Sequence, residues 1–429
     1  GDVYKRQAPW WVAERGLPAR DVMPPSTTRV LLASVLWRVV CVCLLLVSTH
    51  AQPAFDTSGE LVRLTLRPGA WDAYWDAWAA PFVRWDTVYF VAMAERGYVY
   101  EQMLAFQPGI VHVLRVMGSV PRVWGAPWSP TCAVLGGAIA ANLASILAPV
   151  LLYRLLRTLT RSNMVAERAA LLSVLAPASG TSLSAPTPEP FYSVLALSGL
   201  LLLTHTHTAY QWGAAVCFAL ATWFRANGVL LCGFLVWHGL YKPVLESWPT
   251  RRTSHAISGI ASALVSVSPF VAQQWWAYTR LCPGRPWCDA RLPLAYTFVQ
   301  RAYWDVGFLR YWTVAQVPNF VLAMPVLAVA AYACRPLVSS SVLVVLAPWR
   351  ARQAPGDVYV YACHTLVLVC ILLLASHVQI ALRMATPGGM PLVWWACAAL
   401  YERHRGVLVY LLCYSTAAIV LYAGFYPPA

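Results

Sequence analysis

Carboxylates that could act as a general base follow the first apolar stretch of the chain. Acidic residues number only 17 in 429, yet Asp56, Asp86, Glu95 and Glu101 lie close together in this early region. A carboxylate beside an apolar surface can accept a proton, because partial desolvation raises its proton affinity. The type and position of these residues therefore predict acid–base chemistry in the segment after the first span.

Asp86 is the most suggestive of these acids. The spacing of Asp86 and Glu95, with Tyr89 between them, leads us to expect all three on one half-surface of a helix. The alternative is structural: the two acids pair with the neighbouring Arg84 or Arg96 and form a solvated interfacial face. The spacing alone leaves both interpretations open.

A second polar group occupies residues 296–320, where aromatic rings alternate with amides. Such a group could bind a sugar by ring stacking and amide hydrogen bonds, or it could form an aromatic belt at the membrane interface. The members of this group are Tyr296, Gln300, Tyr303, Trp304, Asp305, Gly307–Arg310, Gln316 and Asn319.

A third group lies inside or beside apolar runs. Arg225 and Asn227 interrupt one run, while His377, Gln379 and Arg383 close another. Ionisable groups at membrane depth are costly, so function is the default interpretation. The two arginines could clamp a lipid phosphate by bidentate hydrogen bonds, or they could snorkel to the interface.

Metal and nucleotide sites have no support in the sequence. His205 and His207 are two residues apart, which places them on different faces of a helix and does not indicate a metal pair. No phosphate-binding loop, dinucleotide fingerprint or zinc spacing occurs. Cys282 and Cys288 flank a polar loop and could form a disulfide if that loop faces an oxidising lumen, the alternative being two free thiols.

The composition indicates a membrane protein. The chain is 59% hydrophobic and only 11% charged, whereas soluble domains carry roughly 25% charged residues. The low fraction of charged residues is explained if long apolar runs contact lipid instead of water. The net charge of +14 comes mostly from arginines scattered between apolar runs, a distribution that argues against nucleic acid as a partner.

Apolar segments long enough to cross a membrane divide the chain into many spans. Segments 165–178 and 189–203 are short for a span, and 338–347 is apolar but shorter still; the first two are interpreted as broken or re-entrant helices that line a cavity or pack in protein. The predicted spans are 30–49, 132–153, 209–240, 256–276, 315–334, 357–376 and 407–426.

We interpret the chain as one multi-span domain over residues 28–429, preceded by an N-terminal leader, 1–27. Residues 1–22 differ in character from the rest of the chain, and Met23 precedes the first apolar run directly. A non-native origin of 1–22 is therefore left open, and they are excluded from fold reasoning.

Basic loops predict the orientation of the spans. Arginine and lysine in 154–168, 241–255 and 335–356 predict that these loops are cytosolic, which places 50–131 and 277–314 on the opposite face. Five arginines in 277–314 oppose this assignment.

Several motifs resemble the GPI mannosyltransferase 2 (PIG-V) family, in the family's order and over nearly the whole chain. Departures occur at Gln107, where the family pattern has Phe, and at Asp305, where it has Asn. The matching stretches are Phe55–Ser58, Arg84–Asp86, Ala94–Tyr98, Glu101, Ala105–Pro108, Ser184–Ala185, Glu189–Phe191, Ala221–Gly228, Pro286–Cys288, Tyr303–Tyr311, Gln316–Phe320, His377–Gln379, Arg383 and Thr386–Pro387.

The resemblance implies an all-α polytopic membrane protein of the GT-C type, with interfacial or re-entrant helices in a luminal first loop. It implies α-1,6 transfer of the second mannose from dolichyl phosphate mannose to the mannosyl-glucosaminyl-phosphatidylinositol intermediate. No cofactor is expected beyond this donor substrate. The expected location is the endoplasmic reticulum membrane, with a luminal active site and a small stabilising subunit as a further partner.

GT-C enzymes of this kind place an acidic residue in the first luminal loop, so the resemblance assigns the catalytic base to Asp86, with Asp56 as runner-up. We expect single inverting displacement, with Arg225 or Arg383 stabilising the departing phosphate. The substrate-binding residues expected from the motifs are Arg84, Trp85, Glu95, Tyr98, Glu101, Glu189, Arg225, Asn227, Gln300, Tyr303, Trp304, Gln316, Asn319, His377, Gln379 and Arg383.

Two other classes of function remain in view. Broken helices and midplane arginines also suit a transporter or flippase of a lipid-linked sugar, although no internal repeat is visible and the acids lie outside the spans. A non-catalytic subunit of a GPI assembly complex is the third class.

Overall fold

The computed structural model describes residues 26–59, 62, 74–243, 252–335, 337 and 356–426. Every regular element in these ranges is helical, which confirms the predicted all-α class. The apolar segment 338–347, singled out in the sequence, lies outside the described residues.

Five helices are long and apolar enough to cross a membrane. They contain the predicted spans 30–49, 132–153, 256–276, 315–334 and 407–426, apart from a few terminal residues, so the chain is a multi-pass membrane protein. Their bounds are Ser26–Ala51 (α1), Pro130–Thr160 (α4), Ala256–Leu281 within the helix Arg252–Leu281 (α9), Val314–Ala333 including the helix Val317–Ala333 (α11), and Gly406–Ala423 (α15).

The predicted continuous span 209–240 is wrong, because the helix breaks at Arg225. Helix α7, Thr208–Phe224, ends where the backbone of Arg225 becomes extended, at φ −144° and ψ 136°. A 3₁₀ turn, Ala226–Leu231, then leads into the short helix α8, Cys232–Val236, and a π turn, Trp237–Tyr241. A Cβ on Gly228 would lie 2.6 Å from the backbone of Thr222, so only glycine lets the chain fold back so closely.

An irregular but buried segment separates helix α5, Asn163–Val174, from helix α6, Glu189–Leu202. Arg38 of α1, itself buried, donates hydrogen bonds to the Ser179 carbonyl and to the Ser184 hydroxyl at 3.2 Å. Backbone without helical structure is tolerated at membrane depth only where protein satisfies its polar groups. The expectation of a broken helix pair packed in protein is therefore met here.

Shorter helices complete the bundle and carry the polar residues of interest. The helix Pro391–Arg403 was not predicted, because its 13 residues are too few for a span. The helices are α2 Asp86–Arg96, α3 Gly109–Ser119, α10 Ala295–Trp304, α12 Val358–Leu374, α13 Ile380–Met384 and α14 Pro391–Arg403. Single turns of 3₁₀ or π helix occur at Trp75–Ala79, Ala80–Phe82, Glu101–Ala105, Val120–Trp124 and Val314–Gln316.

A distinct apolar core fixes helix α2 against the first and last spans. Phe90 and Met93 of α2 are fully buried in it, together with Leu45 of α1 and Ile419 and Tyr422 of α15. Burying a large apolar side chain stabilises the fold by roughly 1.5–3 kcal/mol. The helix that begins at Asp86 is therefore attached rigidly to two membrane helices.

Candidate active site

A cavity of about 920 Å³ opens between the segments that were predicted to share one face of the membrane. Its wall combines residues 84–90 and 105–107 of the first loop with residues 296–310 of the later loop. The break at 224–227 and the segment 375–384 line it as well. Three of the motif groups found in the sequence thus meet in one place.

Asp86 is the first residue of α2 and faces this cavity. The residue before it, Trp85, has a φ of 53°, a left-handed backbone conformation that a bulky side chain rarely adopts and that costs on the order of 1–3 kcal/mol. Packing of α2 against the spans over-determines this turn. The strained turn aims the Asp86 carboxylate into the cavity.

Arg383 orients Asp86 through a double contact. Its Nη1 donates to Oδ2 of Asp86 at 2.7 Å, while its Nε and Nη2 lie 2.7 and 2.5 Å from Oε1 of Glu189. Among the described residues, none donates a hydrogen bond to Oδ1 of Asp86. One carboxylate oxygen is therefore fixed by the guanidinium, and the other is available to a substrate hydroxyl.

Glu189 is the buried anchor of this arrangement, with a side chain only 1% exposed. Its Oε1 also accepts a hydrogen bond from Nη1 of Arg225, and Nε of Arg225 lies 3.3 Å from Oδ1 of Asn227. A buried carboxylate needs such partners, because an uncompensated charge inside a protein is very costly. The result is one continuous network from Asp86 through Arg383, Glu189 and Arg225 to Asn227.

Two expectations about these charged residues need correction. Glu189 was expected to bind substrate, but its burial and its two guanidinium partners make it a positioning residue. Arg225 and Arg383 do not snorkel to an interface, since both contact this buried acid inside the bundle. Contact of either arginine with a lipid phosphate stays a prediction, since both line the cavity and each also has an ion-pair partner.

The wall of the cavity is predominantly cationic. Among the described residues that line it, five are arginines and only Asp86 carries a carboxylate. Arg84 is held by carbonyls of Ala80 and Ala423 and lies over the Phe425 ring. Arg310 pairs with Asp305 at 2.5 Å. For Arg301, which is exposed, the described part of the chain offers no ion pair. Such a wall suits a ligand that carries a phosphate.

Asp56 and Glu95, two of the predicted acids, do not line this cavity. Asp56 is exposed near the end of α15, and hydrogen bonds from the Ser58 hydroxyl and backbone N–H hold the pKa of its carboxyl below the ordinary value. Glu95 contacts Arg96 at 3.3 Å. The expected common face of Asp86 and Glu95 is wrong, because nine residues make two and a half helical turns and put them on opposite sides.

Glu101 joins the two loops instead of facing the cavity. Its Oε1 accepts from the Trp287 indole N–H at 3.0 Å, and its Oε2 accepts from the Tyr303 hydroxyl at 2.9 Å. Trp287 lies between Cys282 and Cys288, which form the predicted disulfide. The Tyr98 hydroxyl donates to the Phe106 carbonyl at 2.9 Å. Glu101, Tyr98 and Tyr303, all expected to bind substrate, therefore hold loops together.

A chain of hydrogen bonds supports the opposite wall. Asn319 donates to Gln316 at 2.7 Å and to the Tyr311 hydroxyl at 2.9 Å, and that hydroxyl lies 3.3 Å from Oε1 of Gln379. The imidazole of His377 contacts the Trp304 carbonyl at 2.8 Å. Of the residues predicted here, Gln300, Trp304, His377 and Gln379 line the cavity, while Gln316 and Asn319 support it from behind.

Several cavity residues were not predicted as ligands. In the sequence, Arg301 stands out only as an exception to the charge rule for topology, whereas Arg310 also lies within the motif Tyr303–Tyr311. Thr181, Ser182 and Thr187 come from the buried irregular segment, where no motif pointed to them. Within the described ranges, no group of three or more His, Cys, Asp or Glu side chains is arranged to hold a metal ion.

Curated relatives match from about three quarters to almost the whole of the chain. A GPI mannosyltransferase 2 of Cryptococcus neoformans is 33% identical, with 94% of this chain and 98% of the relative covered. A GPI mannosyltransferase 2 of Chaetomium globosum is 31% identical over 94% and 96% of the two chains. A GPI alpha-1,6-mannosyltransferase 2 of Cricetulus griseus is 30% identical over 76% and 74%.

Solved structures show a more distant similarity. ArnT from Cupriavidus metallidurans bound to undecaprenyl phosphate has 15% identity and a TM-score of 0.45, with 87% of this chain and 62% of that chain covered. The archaeal oligosaccharyltransferase AglB from Archaeoglobus fulgidus has 12% identity and a TM-score of 0.44, over 94% and 55% of the two chains.

A family model described as Mannosyltransferase (PIG-V) matches residues 27–429. It includes every element that builds the cavity, and the curated relatives carry the same activity in their names. The chain therefore belongs to the PIG-V mannosyltransferase family.

Proposed function

We propose that this protein transfers the second mannose, in α-1,6 linkage, from dolichyl phosphate mannose to the mannosyl-glucosaminyl-phosphatidylinositol intermediate of GPI-anchor biosynthesis. The family supports mannosyl transfer, and the names of the relatives support the α-1,6 link and the GPI pathway. Neither supports a transporter, a flippase or a non-catalytic subunit.

One observation carries the mechanism: Asp86 is the only carboxylate among the described residues that line the cavity, and Arg383 fixes one of its oxygens. In the proposed step, Oδ1 of Asp86 accepts the proton of the acceptor 6-hydroxyl as that oxygen attacks the anomeric carbon. The bond from this carbon to the phosphate oxygen breaks, and its electron pair leaves with dolichyl phosphate. A β-linked donor then gives an α product.

The phosphate of the donor is assigned to the cationic wall. Because Arg225 and Arg383 are committed to Glu189, we place the phosphate nearest to Arg301, which has no ion-pair partner among the described residues. A preorganised charge at the leaving group lowers the barrier without strong acid assistance.

The wider setting is also part of the proposal. The resemblance supports a GT-C-type enzyme of the endoplasmic reticulum membrane, with the cavity open to the lumen and with a small stabilising subunit. The disulfide between Cys282 and Cys288 is consistent with an oxidising compartment on the side of the cavity.

Asp86→Asn tests the mechanism. Asparagine keeps an oxygen that can accept from Arg383 but cannot take the proton, so we expect hexose transfer to fall about 10²–10⁴-fold. The assay measures the mass gain of one hexose on the acceptor with purified protein in detergent. Asp56→Asn is the matched control and should retain activity. Near-normal transfer by Asp86→Asn at equal protein level would remove Asp86 from the mechanism.

A further inference from the structure

Buried polar atoms without partners cluster at the wall of the catalytic cavity. Both amide atoms of Gln107, the hydroxyl of Ser182 and Nδ2 of Asn227 make no hydrogen bond with any described residue. Gln107 is 3% exposed and Ser182 is 5% exposed. All three residues line the cavity that contains Asp86.

These atoms come from three separate segments that converge. Gln107 follows the turn Glu101–Ala105, Ser182 belongs to the buried irregular segment, and Asn227 lies in the turn after the break at Arg225. The backbone on either side of Gln107 is fixed by apolar contacts: the Phe106 ring lies 5.7 Å from that of Trp304, and a Cβ on Gly109 would lie 2.8 Å from Phe224. The amide is held in place without a polar partner of its own.

Unpaired polar groups in a protein interior need an explanation, since most buried polar atoms have a partner and an unmet one destabilises the fold. The hydrocarbon chain of a lipid would leave them unmet. A sugar hydroxyl both donates and accepts, and the carboxamide of Gln107 offers one acceptor and two donor hydrogens to match it. The chemistry of the wall therefore fits a polyhydroxyl ligand beside the proton acceptor.

We infer that Gln107, Ser182 and Asn227 form the subsite that binds hydroxyls of a hexose during transfer, with Gln107 as the residue that selects for them. This inference rests on the proposed function, since it places a sugar next to Asp86.

The experiment compares the protein with Gln107→Leu on parent and deoxy substrates. Donors lacking the 2-, 3-, 4- or 6-hydroxyl of mannose form one arm, and acceptors lacking single hydroxyls of their terminal mannose, other than the reacting one, form the other. For the unaltered protein we expect at least one deoxy substrate to lose about 10-fold in kcat/KM, the size of one well-made hydrogen bond. Gln107→Leu should process the parent and that analogue equally well.

Stability distinguishes recognition from a structural role. Leucine removes two unmet polar atoms, so the midpoint of thermal unfolding should stay equal or rise while kcat/KM for the parent falls. Gln211→Leu, outside the cavity, is the matched control, because Gln211 already bonds Ser262 at 3.0 Å; it should keep full discrimination between parent and deoxy substrates.

The outcomes are separable. If the unaltered protein transfers no hexose, the proposed function fails. If it transfers hexose and Gln107→Leu keeps the full preference for every parent substrate, the subsite assignment is overturned while the function stands. The arm that shows the lost preference identifies whether the donor or the acceptor sugar occupies the subsite.

Discussion

Glu101 accepts a hydrogen bond at 3.0 Å from the indole N–H of Trp287, although several membrane helices separate the two residues along the chain. The same carboxylate accepts from the Tyr303 hydroxyl, one residue before the cavity residue Trp304. Both loops contribute to the wall, so this contact couples the two halves of the cavity without touching a substrate.

Glu101→Ala should loosen the later loop without removing a substrate ligand. The change leaves the Trp287 and Tyr303 donors without their acceptor, so we expect faster proteolysis within residues 282–304 and a lower unfolding midpoint. Transfer should fall mainly through a raised KM. Limited proteolysis with mass spectrometry measures the first effect, and Glu402→Ala, which removes an exposed partner of Arg168, serves as the control. An unchanged cleavage rate would contradict the coupling.

The Cys282–Cys288 disulfide predicts where this loop resides. Because thiols stay reduced in the cytosol, a luminal loop should give a peptide linked between these two cysteines on non-reducing digestion. Cys282→Ser should lower the free energy of unfolding by about 2 kcal/mol, as expected for closing so short a loop. Cys41, buried as a free thiol in α1, provides a control cysteine. Recovery of both loop cysteines as free thiols from native membranes would contradict the luminal assignment.

Glu189 should be essential for the fold of the site and not for binding substrate. Glu189→Gln keeps the volume but leaves Arg225 and Arg383 without their shared counter-charge, so we expect a loss of about 3–5 kcal/mol in unfolding free energy. Glu402→Gln, at an exposed ion pair, should cost no more than about 1 kcal/mol. Unfolding in mixed micelles measures both. Equal stability of the two variants would show that the network does not depend on Glu189.

The sequence predicts the membrane class and most spans well. A membrane span requires a run of apolar residues, and such a run can be recognised in the sequence without knowing the fold. It fails at 209–240, where the apolar run continues through Arg225. The helix breaks there because Arg225 pairs with buried Glu189 and because Gly228 lets the chain fold back closely. It also misses Pro391–Arg403, whose buried residues, including Trp394 and Trp395, are sheltered by protein and need no full span.

The sequence predicts which residues belong to the candidate site better than it predicts the role of each one. Motifs located Asp86, Arg225 and Arg383, but which acid pairs with which arginine depends on contacts across about 300 residues of chain, between positions 86 and 383. The prediction that Glu95 shares a helical face with Asp86 was wrong. In the sequence, Gln107 stands out only as a departure from a motif, because its lack of hydrogen-bond partners depends on the folded wall around it.

Arg301 offers the sharpest test of how the donor phosphate is held. It lines the cavity, is exposed, and has no ion pair among the described residues, so its charge remains available for a ligand. A charge-assisted hydrogen bond to phosphate contributes about 1.5–3 kcal/mol, so Arg301→Ala should lower kcat/KM for the lipid-phosphate donor about 10- to 100-fold.

Loss of one positive charge should also weaken the salt dependence of donor binding. Arg291→Ala removes an arginine from the same loop outside the cavity and should leave both quantities unchanged. If both variants lose the same amount, the effect belongs to the general charge of the loop, and the phosphate is not held by Arg301.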